Sequence, residues 1–292
     1  MLKGRLGLET ARIPHADRHG LLWLSRGTLS AEDGTLRFVT AGDGDWRAGD
    51  YAIPFQALSL ILLGPGTTVS HDVLRLLARH GTGLLAVGSD GVRLYSAPPL
   101  GTGESQRARR QARLWADAEE SRLLVARRLY AWRLGEVLPH RDIAVLRGIE
   151  GARMKETYRL TAARFGVTWR GRRYDRGDPE AADAPNQAIN HAATAVEAAA
   201  AIAVAATGTL PQLGFIHEDP ANAFVLDLAD LFRDQVTLPV AFEAVRSAER
   251  EPEVPLERQV RRLAGQAFRR QGLIPTMIDR VKELFDGGGG DA

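Results

Sequence analysis

The feature that most constrains the fold is a change in hydrophobic periodicity at a proline- and glycine-rich stretch, SAPPLGTGES (96–105). Before this stretch, short apolar runs alternate with turn residues, as is typical of β-strands. After it, apolar residues recur at helical spacing over longer segments. The sequence therefore predicts an α+β protein, in which a small β-rich domain (1–98) is followed by a larger all-α domain (99–292).

The same patterns predict the individual elements. Strands are expected at LLWLS, GTLSAE, TLRFVT, YAIPF and LSLILL, with hairpin turns at Asp33-Gly34 and around Asp90-Gly91. Residues 70–81 predict a helix that Ser70 caps and Gly81 ends. The last residues, GGGGDA, are expected to form a loose end. Further helices are predicted over residues 105–135, 148–165, 186–206, 239–249, 255–270 and 274–285.

Composition excludes several classes of protein. The chain has no cysteine, so it has no disulfides, no thiolate zinc site and no cysteine nucleophile. The first twenty residues lack the apolar core of a signal peptide. The most apolar run, residues 192–206, is too short to span a bilayer and predicts a buried helix. We therefore expect a cytoplasmic protein.

Charge is distributed unevenly along the chain. The net charge is only +2, but residues 103–176 contain 18 basic and 9 acidic side chains, whereas residues 177–292 contain 10 and 18. Most of the basic residues are arginines, whose guanidinium groups pair with phosphate oxygens, so the basic block suits a nucleic-acid backbone. A solvated helix surface explains the same charge equally well.

One largely apolar segment, HEDPANAFVLDLADLFR (217–233), contains His217, Asp227 and Asp230. Two aspartates three residues apart share one face of a helix, and a bound divalent cation would remove the repulsion between them. Carboxylates with an imidazole suit Mn²⁺ or Mg²⁺. In the alternative interpretation, Asp227 is a helix N-cap and Asp230 interacts with the helix dipole.

A third carboxylate stands out in LRGIEGARMKETYRL (146–160), where Glu150 lies between two glycines and close to Arg147, Arg153 and Lys155. It is either an acidic residue at a helix start, stabilised by the dipole and these cations, or a metal ligand beside a phosphate site. The spacing alone leaves both interpretations open.

Motifs for other chemistries are missing from the sequence. The glycine stretches at 64–69 and 101–106 complete neither a Walker A motif nor a dinucleotide-binding fingerprint. The sequence contains no GxSxG elbow and no HExxH motif. A serine hydrolase or a zinc hydrolase therefore has little support.

Three blocks closely resemble the CRISPR-associated integrase Cas1, particularly that of subtype I-E. These blocks are GIEGARMKETY (148–158), GVTWRGRRYD (166–175) and GFIHEDPANAFVLDLADLFR (214–233), and they occur in the order of that family. The segments GTTVSHDVLRLLARHG (66–81) and GVRLY (91–95) are similar to its β-rich domain. The resemblance thus extends over nearly the whole chain.

The resemblance implies a catalytic function for the helical domain. Glu150, His217 and Asp230 would hold one Mg²⁺ or Mn²⁺, and Asp227 would support them as a fourth catalytic residue. The implied reaction is metal-dependent transesterification, in which the 3′-hydroxyl of a prespacer attacks a phosphodiester at the CRISPR repeat. With water as the nucleophile, the same site would be an endonuclease.

The resemblance also implies contacts with double-stranded DNA. Arg75 and Arg93 in the first domain, and Arg258 and Arg261 in the second, would contact the prespacer backbone. Tyr174 would lie near an unpaired DNA end, where it can stack on a base. One departure from the family is Arg26 before Gly27, where some relatives carry an aromatic wedge, with Trp23 three residues earlier.

The family works as a homodimer together with its small partner protein Cas2, and the β-rich domain is the expected dimer and DNA-contact surface. Two other functions fit the residues less completely. One is a stand-alone structure-selective nuclease of DNA repair, and the other is a non-catalytic nucleic-acid-binding scaffold.

Overall fold

The computed structural model describes residues 20–42, 46–96, 105–117, 120–173, 182–218 and 221–286. These residues form two compact units. The first contains the described residues up to Ser89, with 94–106 and 205–208, and the second contains 90–93, 107–204 and the described residues from 209 onward. The N-terminal segment, most of the predicted linker with its domain boundary, and the GGGGDA end lie outside the described residues.

The first unit contains two four-stranded sheets and one helix within its described part. In one sheet the strand order is β1-β5-β7-β8, with β8 antiparallel to β7 and the other pairs parallel. In the other the order is β4-β3-β2-β6. The elements are β1 (Gly20–Leu24), β2 (Gly27–Glu32), β3 (Thr35–Thr40), β4 (Gly49–Ile53), β5 (Leu58–Leu63), β6 (Thr68–Val69), α1 (His71–His80), β7 (Gly83–Val87) and β8 (Leu94–Ser96).

Both predicted hairpins are confirmed. Strands β2 and β3 pair antiparallel from Glu32 with Thr35, and the two turn residues have positive φ angles of 48° and 77°, the conformation that favours Asp-Gly. Strands β7 and β8 flank a short helical turn at Ser89–Gly91. The helix predicted at 70–81 is also present, ending at Gly81 with a φ of 65°.

The core of the first unit is built from alternating residues of β2 and β3 together with α1. Leu29, Leu36 and Phe38 are fully buried, and Val73 and Leu77 of α1 pack against the same cluster. Strand β4 ends two residues earlier than predicted because Pro54 follows it and cannot donate a ladder hydrogen bond.

The second unit is helical, which confirms the predicted fold class. One predicted helix is wrong, because residues 105–135 form two helices. The side chain of Asp117 accepts hydrogen bonds from the backbone and hydroxyl of Ser121 at 3.2 and 2.6 Å, and so begins a new helix. The helices are α2 (Gln106–Ala116), α3 (Ser121–Leu134), α4 (Ile143–Arg164), α5 (Ala184–Thr207), α6 (Ala223–Asp230), α7 (Leu238–Arg250), α8 (Leu256–Gln271) and α9 (Leu273–Phe285).

Helices α3, α4 and α6 position the candidate site. Helix α3 packs on α4, α4 packs on α7, and α7 joins α6 through a π-helical turn at Arg233–Thr237. Helix α5 is long and apolar enough to cross a membrane by length and composition, but 56% of its most apolar window is buried inside the protein. Its buried alanines, including Ala192, Ala195 and Ala199, are those expected of the predicted core helix.

Candidate metal centre

Asp227 organises the segment that carries His217. Its carboxylate, on a residue only 1% exposed, accepts hydrogen bonds from the backbone N–H groups of Phe215, Ile216 and His217 at 2.5, 3.1 and 2.9 Å. It also lies 2.8 Å from Nδ1 of His217. The hydrogen bond to Asp227 raises the pKa of His217 against the opposing effect of burial. The ring is thereby oriented with Nε2 toward Asp230.

Asp230 is the last residue of α6, and its carboxylate is held by two arginines. Oδ2 accepts a hydrogen bond from Nη1 of Arg133 at 3.0 Å, and Oδ1 pairs with Arg233. The Nε2 atom of His217 lies 3.9 Å from Oδ2. Burial alone would raise the pKa of Asp230, but the charges of Arg233 and Arg133 outweigh it and lower the pKa. Asp230 is therefore ionised.

The helix-cap interpretation of the two aspartates is wrong. Helix α6 begins at Ala223 after Asn222, so Asp227 lies inside the helix and Asp230 lies at its C-terminal end. A carboxylate at that end gains nothing from the helix dipole. Its stabilisation comes from arginines on other parts of the chain.

Glu150 approaches the same place from α4. The helix begins at Ile143 and is capped by Asp142, whose side chain accepts from Ala144 N–H at 2.7 Å, so Glu150 lies well inside it and is not a helix-start acid. Its carboxylate pairs with Nη2 of Arg133. Burial raises the pKa of Glu150, and the charge of Arg133 opposes that rise.

Arg133, on α3, joins the two carboxylates. One terminal nitrogen binds Glu150 and the other binds Asp230, and the arginine side chain is only 7% exposed. A guanidinium that uses both ends in this way fixes the spacing between its acceptors. The buried cation, which the sequence analysis did not select, thus links Glu150 to Asp230, and Asp230 lies 3.9 Å from the His217 ring that Asp227 holds.

The donor types suit a divalent cation. Carboxylate oxygens and one imidazole nitrogen are ligands that Mg²⁺ and Mn²⁺ accept. Asp227 bonds to Nδ1 of His217, and metal-binding histidines usually have such a partner on the ring nitrogen that does not bind the metal. In the described part of the chain, however, no three such side chains are gathered closely enough to enclose an ion. Arg133 occupies the position between the two carboxylates instead.

Other polar groups, ranging from buried to exposed, lie close to these residues. The guanidinium of Arg233 donates to the hydroxyl of Tyr158 at 3.3 Å, and Arg147 donates to the carbonyl of Ile216 at 3.0 Å. Glu197, on α5, is a further partly buried carboxylate that interacts electrostatically with Asp230 and His217. Burial is the main cause that raises the pKa of Glu197, and the charge of Asp230 raises it further.

Sequence reasoning missed three of these residues for different reasons. Arg233 lies three positions after Asp230 in the quoted segment, so its pairing could have been inferred from helical spacing. Glu197 is a single acid in an alanine-rich run, which marks it as a candidate. Arg133 carries no such signal, because it is one arginine among many and its partners are 17 and 97 residues away.

The predicted DNA contacts lie in varied surroundings. Arg75 is exposed and pairs with Asp72, and Arg258 is exposed on α8. Arg93 and Arg261 both contact Glu257, at 2.5 and 3.7 Å. Tyr174 lies outside the described residues. The roles of all five remain predictions.

At the departure from the family, Arg26 has a positive φ of 51° and its carbonyl accepts from the Thr40 hydroxyl at 2.8 Å. Trp23, on β1, offers its carbonyl to the indole N–H of Trp46 at 3.1 Å.

Much of the basic block is neutralised within the second unit. Arg107, Arg122 and Arg128 pair with the acidic residues Asp286, Glu218 and Glu283 from the acidic part of the chain. The uneven charge along the sequence thus partly reflects ion pairs between the basic and acidic parts of the chain. A buried or partly buried pair of this kind leaves less free charge for a phosphate backbone than the sequence count indicates.

The fold and site define an α+β protein with a carboxylate–histidine centre in its helical part. The family model described as CRISPR associated protein Cas1 matches residues 133–254, which include Arg133, Glu150, His217, Asp227 and Asp230.

The chain is 35% identical to the CRISPR-associated endonuclease Cas1 of Geobacter sulfurreducens, over 96% of this chain and 88% of the relative. It is 37% identical to that of Escherichia coli, over 94% and 88%. Among solved structures, a complex of TtCas1 with DNA has a TM-score of 0.82 and 34% identity, covering 94% of this chain and all of that one. The protein belongs to the Cas1 family.

Proposed function

We propose that this protein is a metal-dependent DNA endonuclease and integrase of CRISPR adaptation, of subtype I-E, which joins prespacer 3′-hydroxyl ends to the CRISPR repeat. The observation that carries the proposal is that Glu150 and Asp230 share the buried Arg133 and that Nε2 of His217 lies 3.9 Å from the same oxygen of Asp230. This arrangement occurs in a chain similar over most of its length to proteins named Cas1 endonucleases.

The chemistry proposed is phosphodiester exchange. The 3′-hydroxyl oxygen of the prespacer forms a bond to the phosphorus at the 5′ end of the repeat strand, the bond from this phosphorus to the 3′ oxygen of the adjoining DNA breaks, and that oxygen leaves with a proton. Mg²⁺ or Mn²⁺, held by Glu150, His217 and Asp230, would supply Lewis-acid polarisation and charge stabilisation. Asp227 keeps Nε2 of His217 turned toward Asp230 through the bond at Nδ1. Water in place of the hydroxyl would give endonuclease cleavage.

The proposed DNA contacts are distributed over several surfaces of the chain. Arg75 and Arg258 are exposed and can bind phosphates directly, whereas Arg93 and Arg261 would exchange Glu257 for a phosphate. Tyr174 would stack on an unpaired base. A relative of this fold has been solved with DNA, which supports binding of DNA by this protein.

The proposed assembly is a cytoplasmic homodimer that works with the small protein Cas2. The β-rich domain, whose sheets end in edge strands such as β8 and β4, is proposed as the dimer and DNA-contact surface.

A strand-transfer assay tests the proposed function. The protein, with Cas2, is mixed with a labelled short duplex and a supercoiled plasmid that carries a CRISPR array, in Mg²⁺ or Mn²⁺. We expect label to join the plasmid, and we expect joining to disappear with chelator, with blocked 3′ ends or with His217→Ala. Arg159→Gln, at an exposed ion pair with Glu156, is the matched control and should retain activity. Plasmid cutting without joining would contradict the integrase proposal.

A further inference from the structure

Arg133 stands where the proposed function requires a metal ion. Its two terminal nitrogens bind Glu150 and Asp230, which are two of the three proposed ligands. The Nε atom of Arg133 is buried and has no hydrogen-bond partner among the described residues. The three side chains are 7%, 15% and 13% exposed.

The burial of the Glu150 and Asp230 carboxylates explains why they need a positive charge beside them even without a metal ion. Glu150 and Asp230 come from different helices, and bringing their carboxylates together in a buried place without a counter-charge is costly. Arg133 supplies that charge from a third helix. Arg233 neutralises only the other oxygen of Asp230 and has no ion pair with Glu150 among the described contacts.

A divalent ion and the guanidinium cannot both occupy this position. Both oxygens of Asp230 are already paired, Oδ2 with Arg133 and Oδ1 with Arg233. A metal that binds Oδ2 together with Glu150 would therefore compete with Arg133 and lie beside a like charge in a poorly solvated place, so the guanidinium has to move.

We propose that Arg133 is a positioning residue that holds Glu150 and Asp230 together as a resident counter-ion, and that a divalent cation binds by displacing its guanidinium from these carboxylates. This inference rests on the proposed metal-dependent function. The need for this displacement weakens metal binding, because only the molecules in which Arg133 has left the carboxylates can bind the cation. The released guanidinium would then be free to pair with another anion at the site, such as a phosphate group.

Metal titration of variants separates this role from a purely structural one. Binding of Mn²⁺ to the full chain is followed by calorimetry for the wild type, Arg133→Gln, Arg133→Lys and Arg153→Gln. Arg153 is the charge control, because it lies three residues after Glu150 on α4 but is exposed and pairs with Glu136. Glutamine cannot bridge the carboxylates as an ion, and lysine keeps the charge but reaches one of them at a time.

We expect Arg133→Gln to tighten Mn²⁺ binding about tenfold and Arg153→Gln to change it less than about threefold, since only the first removes the competitor. Arg133→Lys should fall between them. Melting in chelator should show a lower Tm for Arg133→Gln than for the wild type, with a larger rise on adding Mn²⁺. Weaker Mn²⁺ binding by Arg133→Gln, or equal effects at positions 133 and 153, would overturn the inference.

Two further arms keep the inference testable if Arg133→Gln does not fold. Arg133→Lys alone should still bind Mn²⁺ more tightly than the wild type, and equal or weaker binding counts against displacement. A crystal structure of the wild type with Mn²⁺ should show Arg133 withdrawn from at least one carboxylate, whereas both ion pairs beside a bound ion would overturn the inference. Failure of every form to bind Mn²⁺ would overturn the proposed metal-dependent function as well, which distinguishes the two failures.

Discussion

Asp227 holds His217 by both its main chain and its ring. The Oδ1 atom of Asp227 accepts the backbone N–H of His217 at 2.9 Å and lies 2.8 Å from Nδ1 of the same residue. Its Oδ2 atom accepts from Phe215 and Ile216. A single buried carboxylate therefore sets the backbone and the ring orientation of a proposed ligand, and several predictions concern this segment.

Asp227→Ala should destabilise the protein by about 2–4 kcal/mol, because it leaves buried backbone donors without their charged acceptor. Urea unfolding in chelator measures the free energy of unfolding. Asp72→Asn, at an exposed ion pair with Arg75, is the control and should cost less than about 0.5 kcal/mol. Equal losses in the two variants would contradict the organising role of Asp227.

Gly214→Ala should disturb the same segment through close contact. A Cβ at Gly214 would lie 2.4 Å from the carbonyl oxygen of His217 and 2.7 Å from Cβ of Ala223, so the backbone must shift. We expect a loss of about 1–3 kcal/mol in the free energy of unfolding. We also expect Mn²⁺ binding to weaken.

Gly148→Ala is the matched control for Gly214→Ala. Gly148 lies inside α4, and a Cβ there meets nothing within 4 Å. Alanine is the better helix former, so this variant should gain about 0.5–1 kcal/mol. A stable Gly214→Ala protein with unchanged Mn²⁺ binding would show that the close approach does not matter.

Glu197→Gln should stabilise the metal-free protein as the pH rises. Because burial raises the pKa of Glu197 in the folded state, its stabilising contribution is complete below the ordinary glutamate pKa and is lost as the pH rises through the raised value. The neutral isostere avoids that loss, so its advantage over the wild type should grow to the order of 1 kcal/mol at neutral pH.

The measurement for Glu197→Gln is the free energy of unfolding between about pH 4 and pH 8 in chelator, a range that spans the ordinary glutamate pKa. Glu243→Gln on the exposed face of α7 is the control and should show no such growth. A Glu197→Gln advantage that is independent of pH would rule out the electrostatic explanation.

Arg258→Gln should weaken binding of duplex DNA and reduce its salt dependence. If the exposed guanidinium contacts one phosphate, the slope of log K against log salt should fall by about one and the affinity by about threefold, whatever the DNA sequence. Fluorescence anisotropy at several salt concentrations measures both. Arg159→Gln is the control, and an unchanged slope for Arg258→Gln would remove Arg258 from the DNA surface.

The local elements were predictable because their causes are local. Asp33-Gly34 is a hairpin turn since both residues adopt positive φ angles, and Gly81 ends α1 since it takes up a left-handed conformation. The break between α2 and α3 was missed because Asp117 interrupts an otherwise continuous helical pattern by bonding to Ser121. An aspartate can either continue a helix or bond through its side chain to nearby backbone and interrupt it, and residue type alone does not say which of the two occurs.

The fold class and the donor types of the candidate site were predictable from residue order, because hydrophobic period and carboxylate–histidine chemistry are properties of residues in sequence. The same order singled out Glu150, His217, Asp227 and Asp230, but it did not show what surrounds each of them. That Asp227 binds the backbone at 215–217 and that Arg133 lies between Glu150 and Asp230 became visible only in the folded protein. Desolvation and ion pairing depend on which distant helices meet, and spacing along the chain does not record that.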